Sequence, residues 1–405
     1  MPETYVNPAM WDEKFDSFSN KERYDFVMET LQQPLTPKFV EELDLGFCIG
    51  EVLDELNTNN LVENALELIQ KFKYHQSELY KEEYPFFDYF LVEYYLFQKE
   101  PEKLEEALSR FKIDPEKGIE PLLSIMDMLI YYGYIDTLQN LIDQTYLVVR
   151  DSEEIIGGAQ YDFAQIIFHN LVNKIYNQTN NGSHVDWNFI NSEISKYGYD
   201  HKKMRDISDK HLMSTIQGGE EFEKNFRNNR IEIFESLMWS FCIYMYTEKN
   251  MNFICSANLW NGIITFLEGP KSKHNKKQPA EIYFDISKHS LEHYISGLYG
   301  GIMSLRQAKA IAILWGLTYF YDFLISKKLI SNSIFNKAKR SIEYVKNAYI
   351  QTYQRSLWKY NFVHRWKIPD SISYEEFESE AKIFAESIKI QIPLNCEPEN
   401  DFGEL

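Results

Sequence analysis

Apolar residues along most of this chain recur three and four positions apart, which is the spacing of one face of an α-helix. Phe87, Phe90, Leu91 and Tyr94 show the pattern in one segment. Segments of this kind follow one another with short polar turns between them, which predicts pairs of antiparallel helices. The pattern therefore indicates an all-α protein in which strands are negligible.

Two helical pairs in the first half of the chain follow a regular period. Pro85 and Pro121 each stand at the start of a predicted helix, and they lie 36 positions apart. Before them, the sequence predicts a helix over residues 42–56, a turn at residues 57–60 and a second helix over residues 61–74. A single helical pair leaves its apolar stripe exposed, so we expect successive pairs to stack.

The segment Ala107-Leu108-Ser109-Arg110-Phe111 matches the Ala-x-x-x-Phe step in the second helix of tetratricopeptide repeats. Together with the period of two helices per unit, this step makes residues 42–150 resemble the tetratricopeptide family. The Trp, the Leu-Gly pair and the Tyr of that family's first helix are absent from the expected places. The resemblance implies stacked helical hairpins that bind another protein and carry no catalytic residues of their own.

A polar stretch that begins at Asn177 and contains Asn, Gln, Thr, Gly and Ser has the composition of a loop. It predicts a boundary between two halves. The second half is expected to be a helical bundle or a further set of α-α hairpins, with the helix from Leu305 near its centre because that helix is apolar nearly all round. The predicted organisation is an N-terminal helical-hairpin repeat domain at 1–176, a polar linker at 177–200, a C-terminal helical domain at 201–394 and an acidic tail at 395–405.

The composition favours long helices with few connections. The 405 residues include 17 Gly and 13 Pro, whereas a β-sandwich or barrel needs many turn residues. Two apolar runs, at 250–267 and 310–321, are candidates for membrane spans. The first contains several Asn, and the second is shorter than the about 20 apolar residues that a spanning helix needs. We therefore predict that both are buried core helices and that no membrane is bound.

The net charge of −19 repels the phosphate backbone of nucleic acids, so no nucleic-acid partner is expected. The same charge disfavours anionic lipid surfaces and is compatible with a basic protein partner. The four Cys form no Cys-x-x-Cys pair, which indicates a reducing compartment. The N-terminus, Met1-Pro2-Glu3-Thr4, lacks the basic and apolar regions of a signal peptide. These features predict a cytoplasmic protein.

His289, Glu292 and His293 have the His-x-x-Glu-His spacing of inverted zinc peptidases. On a helix the two His lie on one face, which suits two zinc ligands, and the Glu could activate a metal-bound water. The alternative is two partly exposed His on an amphipathic helix. Because a pattern of five residues arises readily by chance, we predict no metal and no cofactor. A third ligand would have to come from the downstream residues Glu343, Glu375, Glu376 or Glu378.

These observations predict a non-catalytic protein–protein interaction module, such as an adaptor, regulator or inhibitor, with no catalytic residue. Two alternatives stay open. One is a metal-dependent hydrolase centred on the His-x-x-Glu-His helix. The other is a peptide or small-molecule sensor with a pocket between the two helical halves, since clefts between domains are common ligand sites.

The first helices of stacked hairpins line the concave side of a solenoid, where partners bind. Here those helices carry Tyr94 and Tyr95 in one pair and Tyr131 and Tyr132 in the next. We expect one tyrosine of each pair to face the core and the other to face a partner, because neighbours on a helix point about 100° apart. The alternative is that both tyrosines of a pair pack into the core.

Overall fold

The structure of the chain is a computed structural model, which describes residues 7–155, 158–180, 182, 184–199, 216–269, 278–300 and 306–394. Throughout these residues the regular elements are helices, and no β-strand occurs among them. The all-α prediction is therefore confirmed. The predicted acidic tail at 395–405 lies outside the described residues.

The chain divides into two compact units. Unit 1 comprises Met1–Arg110, Tyr353–Lys359 and Ile383–Leu405, and unit 2 comprises Phe111–Thr352 and Tyr360–Lys382. The predicted boundary at 177–200 differs from this division, because that stretch falls within unit 2. The reason is packing: the predicted linker contains a helix, Trp187–Lys196, which packs on the preceding helix, Ala159–Asn180. That preceding helix also contacts a helix further along unit 2.

Seven helices follow one another from the start of the described chain. Helices α4, α5 and α6 pack on one another, as the pairing of apolar stripes predicts. The turn expected at residues 57–60 lies at 59–61, because α4 continues to Thr58 and α5 begins at Val62. The bounds are α1 Pro8–Ser17, α2 Asn20–Thr30, α3 Pro37–Leu43, α4 Leu45–Thr58, α5 Val62–His75, α6 Ser77–Gln98 and α7 Pro101–Ile113.

Helix α6 begins earlier than the sequence predicts, and Pro85 lies inside it rather than at its start. Proline removes one backbone donor and crowds the preceding turn, so it usually marks a helix boundary. Here Tyr80, Tyr84 and Phe87 are all buried and lie on one face of the helix. The helix therefore packs into the core on both sides of the proline. Tertiary packing therefore keeps the helix intact through Pro85.

Asn60 joins two late segments of the chain to unit 1. Its side-chain Nδ2 lies 2.7 Å from the carbonyl oxygen of Arg355 and 2.9 Å from those of Ser387 and Ile390. The indole Nε1 of Trp358 donates a hydrogen bond to Asn60 Oδ1 at 3.1 Å. The side chain is buried, with 1% exposed. One amide at the α4–α5 turn thus holds segments 353–359 and 383–394 against the N-terminal helices.

The remaining helices belong mostly to unit 2. The α-helices are α8 Ile119–Tyr132, α9 Ile135–Asp151, α10 Ala159–Asn180, α11 Trp187–Lys196, α12 Glu220–Asn228, α13 Arg230–Lys249, α14 Phe253–Glu268, α15 Lys288–Gly300, α16 Gln307–Ser326, α17 Asn332–Tyr353 and α18 Tyr374–Glu386. Within the described ranges, 3-10 helices cover Ala280–Phe284, Leu357–His364 and Ser387–Lys389.

Helix α16 is the central element of unit 2, as its apolar sequence predicts. It packs against α8, α13, α14 and α15. Gly316 permits close approach to α14, because a side chain there would overlap Leu259. By length and composition α16 could cross a membrane, but 89% of its apolar stretch is buried inside the protein. The burial agrees with the prediction of a core helix.

A buried ion pair lies at the start of α16. Arg306 Nε is 2.6 Å from Asp127 Oδ2 on α8, and Arg306 Nη1 is 3.5 Å from Asp162 Oδ2 on α10. The Nδ2 atom of Asn258 is 3.4 Å from the other oxygen of Asp127. Burial alone would lower the pKa of Arg306, but the neighbouring carboxylates raise it. This cluster connects four helices of unit 2, α8, α10, α14 and α16, through ion pairs and a hydrogen bond.

Candidate functional site

Tyr131 and Tyr132 on α8 do not reach the surface. They are 2% and 6% exposed. The Tyr131 ring stacks on Phe362 with centroids 5.3 Å apart, and its hydroxyl accepts a hydrogen bond from Asn258 Nδ2 at 2.9 Å. The Arg365 guanidinium lies over the Tyr132 ring, 4.5 Å from its centroid. Both tyrosines are core residues because α8 packs against α9, α10, α14 and α16, so neither presents a ring to a partner.

Tyr94 and Tyr95 on α6 are half-buried. Their ring centroids lie 5.5 Å apart, and the Lys103 ammonium lies 5.5 Å from the Tyr95 centroid. Part of each ring is therefore accessible. Their role in binding a partner stays a prediction.

The His-x-x-Glu-His segment lies on α15. His289 and His293 are exposed, and Glu292 is half-buried. Among the described residues no group of three or more His, Cys, Asp and Glu side chains could hold a metal ion. The downstream carboxylates proposed as a third ligand therefore do not complete a site with this helix in the described part of the chain.

Two phenylalanines on neighbouring helices of unit 1 are exposed to solvent. Phe47 on α4 is 63% exposed and Phe86 on α6 is 65% exposed. Gly46 brings their helices together, since a methyl group at residue 46 would lie 2.5 Å from the Glu83 Cγ atom. The Glu83 side chain thus lies over the α4 backbone next to Phe47, and Phe86 follows one turn later on α6. Phe47 and Phe86 therefore lie on the exposed surface of α4 and α6, each within one turn of the point where the two helices meet.

This surface is acidic. Glu51 lies one turn after Phe47 on α4, and Glu82 and Glu83 lie one turn before Phe86 on α6. Residues three and four apart share a helix face. Helix α4 contains no Lys or Arg, and the one Lys of α6, Lys81, pairs with Glu78 at 2.7 Å. We call the surface formed by Phe47, Glu51, Glu82, Glu83 and Phe86 the α4–α6 face.

The sequence contained a signal for this face. The buried stripe of α4 includes Ile49, Val52 and Leu56, and Phe47 falls outside it. Phe86 likewise falls beside the buried Pro85 and Phe87 but out of phase with the core stripe. A large apolar residue on the polar side of an amphipathic helix is the pattern that would have drawn attention to both positions.

Unit 2 contains a cavity of about 260 Å³. Helices α16, α17 and α18 and the turn before α18 form its walls. Its lining is mixed, with three apolar side chains, two Lys and three Glu among its members. The lining residues are Thr318, Tyr321, Phe335, Lys339, Ile342, Glu343, Lys346, Asn347, Ser371, Ile372, Glu376 and Glu380.

Lys346 is a buried lysine in the wall of this cavity, with 4% of its surface exposed. Its Nζ lies 3.8 Å from Glu380 Oε2 and 5.1 Å from the centroid of the Trp315 ring. Glu380 Oε2 also accepts a hydrogen bond from Trp315 Nε1 at 2.8 Å. Burial lowers the pKa of Lys346, and the nearby carboxylates oppose that effect only in part.

Two neighbours complete the electrostatic setting of Lys346. Lys339 Nζ donates a hydrogen bond to the Ser371 carbonyl oxygen at 2.8 Å and lies 3.7 Å from Glu343 Oε1. Burial, together with the charge of Lys346, lowers the pKa of His364 to about 3. His364 is therefore neutral near neutral pH.

Comparison of the chain with protein-family models, with curated proteins and with solved structures gave no significant match.

Proposed function

We propose that this chain is a non-catalytic protein-binding module whose α4–α6 face binds a basic, amphipathic helix of a partner protein. The observation that carries the proposal is the exposure of two large aromatic side chains, Phe47 and Phe86, on two helices that meet at Gly46. Aromatic side chains that lose water on binding are the usual energetic centres of protein interfaces. Adjacent exposed apolar side chains with a polar rim are typical of interaction sites.

The rim of this face selects the charge of the partner. Glu51, Glu82 and Glu83 lie within one turn of the two phenylalanines on their helices, and the net charge of the whole chain is −19. A complementary basic partner gains in association rate, and an acidic partner is repelled. An amphipathic helix with Lys or Arg on its polar side presents both the apolar and the basic groups that this face requires.

The face lies on α4 and α6, the first helices of the two successive hairpins in the predicted repeat. That position supports a tetratricopeptide-like mode of binding, in which first helices line the binding surface. The buried free thiols Cys48, Cys242 and Cys255 support a reducing, cytoplasmic location. We include the tetratricopeptide-like mode of binding and the cytoplasmic location in the proposal.

The first test measures binding of a defined peptide. A synthetic helix of about five turns, with Leu on one face and Lys on the other, is titrated into the full chain. We expect saturable binding that weakens about ten-fold or more, or about 1.4 kcal/mol, in the Phe47→Ser/Phe86→Ser double variant. The reason is that the variant removes the apolar anchors and leaves the acidic rim in place.

A matched control separates this site from general attraction to an acidic protein. The Ile231→Ser/Tyr374→Ser double variant removes two apolar side chains that are 75% and 66% exposed elsewhere. It should bind the peptide as the unmodified chain does. Equal losses in the two double variants, or no saturable binding by the unmodified chain, would show that the α4–α6 face is not a binding site.

A further inference from the structure

We infer that the cavity of unit 2 binds a small, uncharged aldehyde or ketone, which Lys346 holds covalently as an imine. The proposal concerns a different part of the chain from the α4–α6 face and does not depend on it. It rests on three features: a buried amine that lines a cavity, a carboxylate beside that amine, and a lining of suitable size and charge.

The first feature is the position of the amine. Lysine side chains usually place the ammonium in water. Lys346 is instead 4% exposed, and its side chain lines the cavity. Its Nζ forms a long ion pair with Glu380 Oε2 at 3.8 Å. Burial outweighs this long contact and lowers the pKa of Lys346, and the neutral form is a nucleophile.

The charges around Lys346 come from each packed element. Glu343 lies on the same helix, Glu376 and Glu380 lie on α18, and the neutral His364 lies on a 3-10 helix. The carboxylates favour the ammonium, but burial is the largest influence and lowers the pKa of Lys346. Buried lysines of this kind serve as imine-forming groups and general bases in proteins.

The reaction balances without an oxidant or a reductant. The lone pair of Lys346 Nζ forms a bond to the carbonyl carbon, and the carbonyl π electrons move to the oxygen, which takes up a proton. The nitrogen then releases a proton, for which Glu380 is the nearest acceptor. The second proton of the nitrogen follows by the same carboxylate to the hydroxyl group, which leaves as water while the nitrogen lone pair forms the C=N bond. An amine and a carbonyl compound thus give an imine and one water molecule, with both N–H protons ending on the water oxygen. The same steps in reverse release the ligand.

The lining defines the class of carbonyl compound. Three Glu and two Lys give the wall an excess of negative charge, which disfavours a carboxylate or phosphate on the ligand. Phe335, Ile342 and Ile372 supply apolar surface. The volume of about 260 Å³ lies just below the usual range for drug-sized ligands. A short aliphatic or a single-ring carbonyl compound fits these limits.

The test uses reductive trapping on the unmodified full chain. The protein is incubated near pH 7 with butanal and sodium cyanoborohydride, which converts an imine into a stable secondary amine, and peptide mass spectrometry measures the labelling rate of each lysine. Exposed Lys38 and Lys81 are the references, since their side chains are 81% and 62% exposed. We expect Lys346 to be butylated about ten-fold faster than both, because its amine is neutral more often.

The outcomes are distinct. Labelling of Lys346 that is no faster than that of Lys38 and Lys81 would overturn the proposal, because simple exposure or unfolding cannot favour a buried amine. A polycyclic aldehyde too large for the cavity should label the surface lysines and spare Lys346, and equal labelling by this aldehyde would also count against a bound ligand. The Lys346→Arg variant, with folding checked by circular dichroism, should lose the fast reaction and keep that of Lys38.

Discussion

Replacing Asp127 with alanine is expected to lower the free energy of unfolding by about 3–5 kcal/mol. The substitution leaves the guanidinium of Arg306, which is 9% exposed, without its partner at 2.6 Å. An unpaired buried charge costs far more than the ion pair contributes. Urea unfolding followed by circular dichroism measures the effect as a lower midpoint in the transition that reports on unit 2.

A control variant in the same cluster separates the buried pair from general charge effects. Asp162 also faces Arg306, but at 3.5 Å and with 30% of its side chain exposed. Water can replace much of what Asp162 supplies, so Asp162→Ala should cost about 1 kcal/mol or less. If the two substitutions destabilise the chain equally, the pair between Arg306 and Asp127 is not the centre of this cluster.

The second large effect is expected in unit 1. Asn60→Gly should destabilise that unit by about 3 kcal/mol or more, because several buried polar groups lose a partner and each costs about 1–3 kcal/mol. Glycine is the suitable replacement, since Asn60 has a φ of 55° and glycine adopts that backbone freely. The lost energy then reports on the amide and not on backbone strain.

Hydrogen exchange locates this effect along the chain. The Asn60 amide contacts the carbonyl oxygens of Arg355, Ser387 and Ile390, so Asn60→Gly should speed exchange in segments 353–359 and 383–394. The neighbouring variant Asn59→Ala keeps the backbone oxygen that accepts a hydrogen bond from Ile392 and should leave exchange there unchanged. Unchanged exchange in Asn60→Gly would mean that these segments are held by other contacts.

The clusters around Asp127 and Asn60 also show which structural features a local sequence pattern can predict and which it cannot. The period of apolar residues predicts α4, the turn at residues 57–60 and α5, because those features depend on neighbours a few positions apart. The period of apolar residues does not predict the hydrogen-bond partners of Asn60, because they lie up to 330 positions away in the sequence. The division into units follows such distant contacts, and it differs from the boundary predicted at 177–200 for that reason.

The candidate sites divide in the same way. The apolar pattern identifies α8 as a helix, but whether Tyr131 and Tyr132 face a partner depends on the four helices that cover α8. Phe47 and Phe86 could have been found, because each is out of phase with its own helix. The cavity around Lys346 could not, since Trp315, Lys346 and Glu380 come from three helices whose packing no local pattern specifies.

The most direct measurement of the central claim is photo-crosslinking from the α4–α6 face. Benzoylphenylalanine is placed at position 86 in one preparation and at position 231 in another, and each is irradiated with the Leu/Lys helical peptide. Both positions are well exposed, at 65% and 75%, so reactivity alone does not distinguish them. Our account predicts a peptide adduct from position 86 that unlabelled peptide suppresses, with little from position 231. Equal adducts from the two positions, or none from position 86, would contradict it.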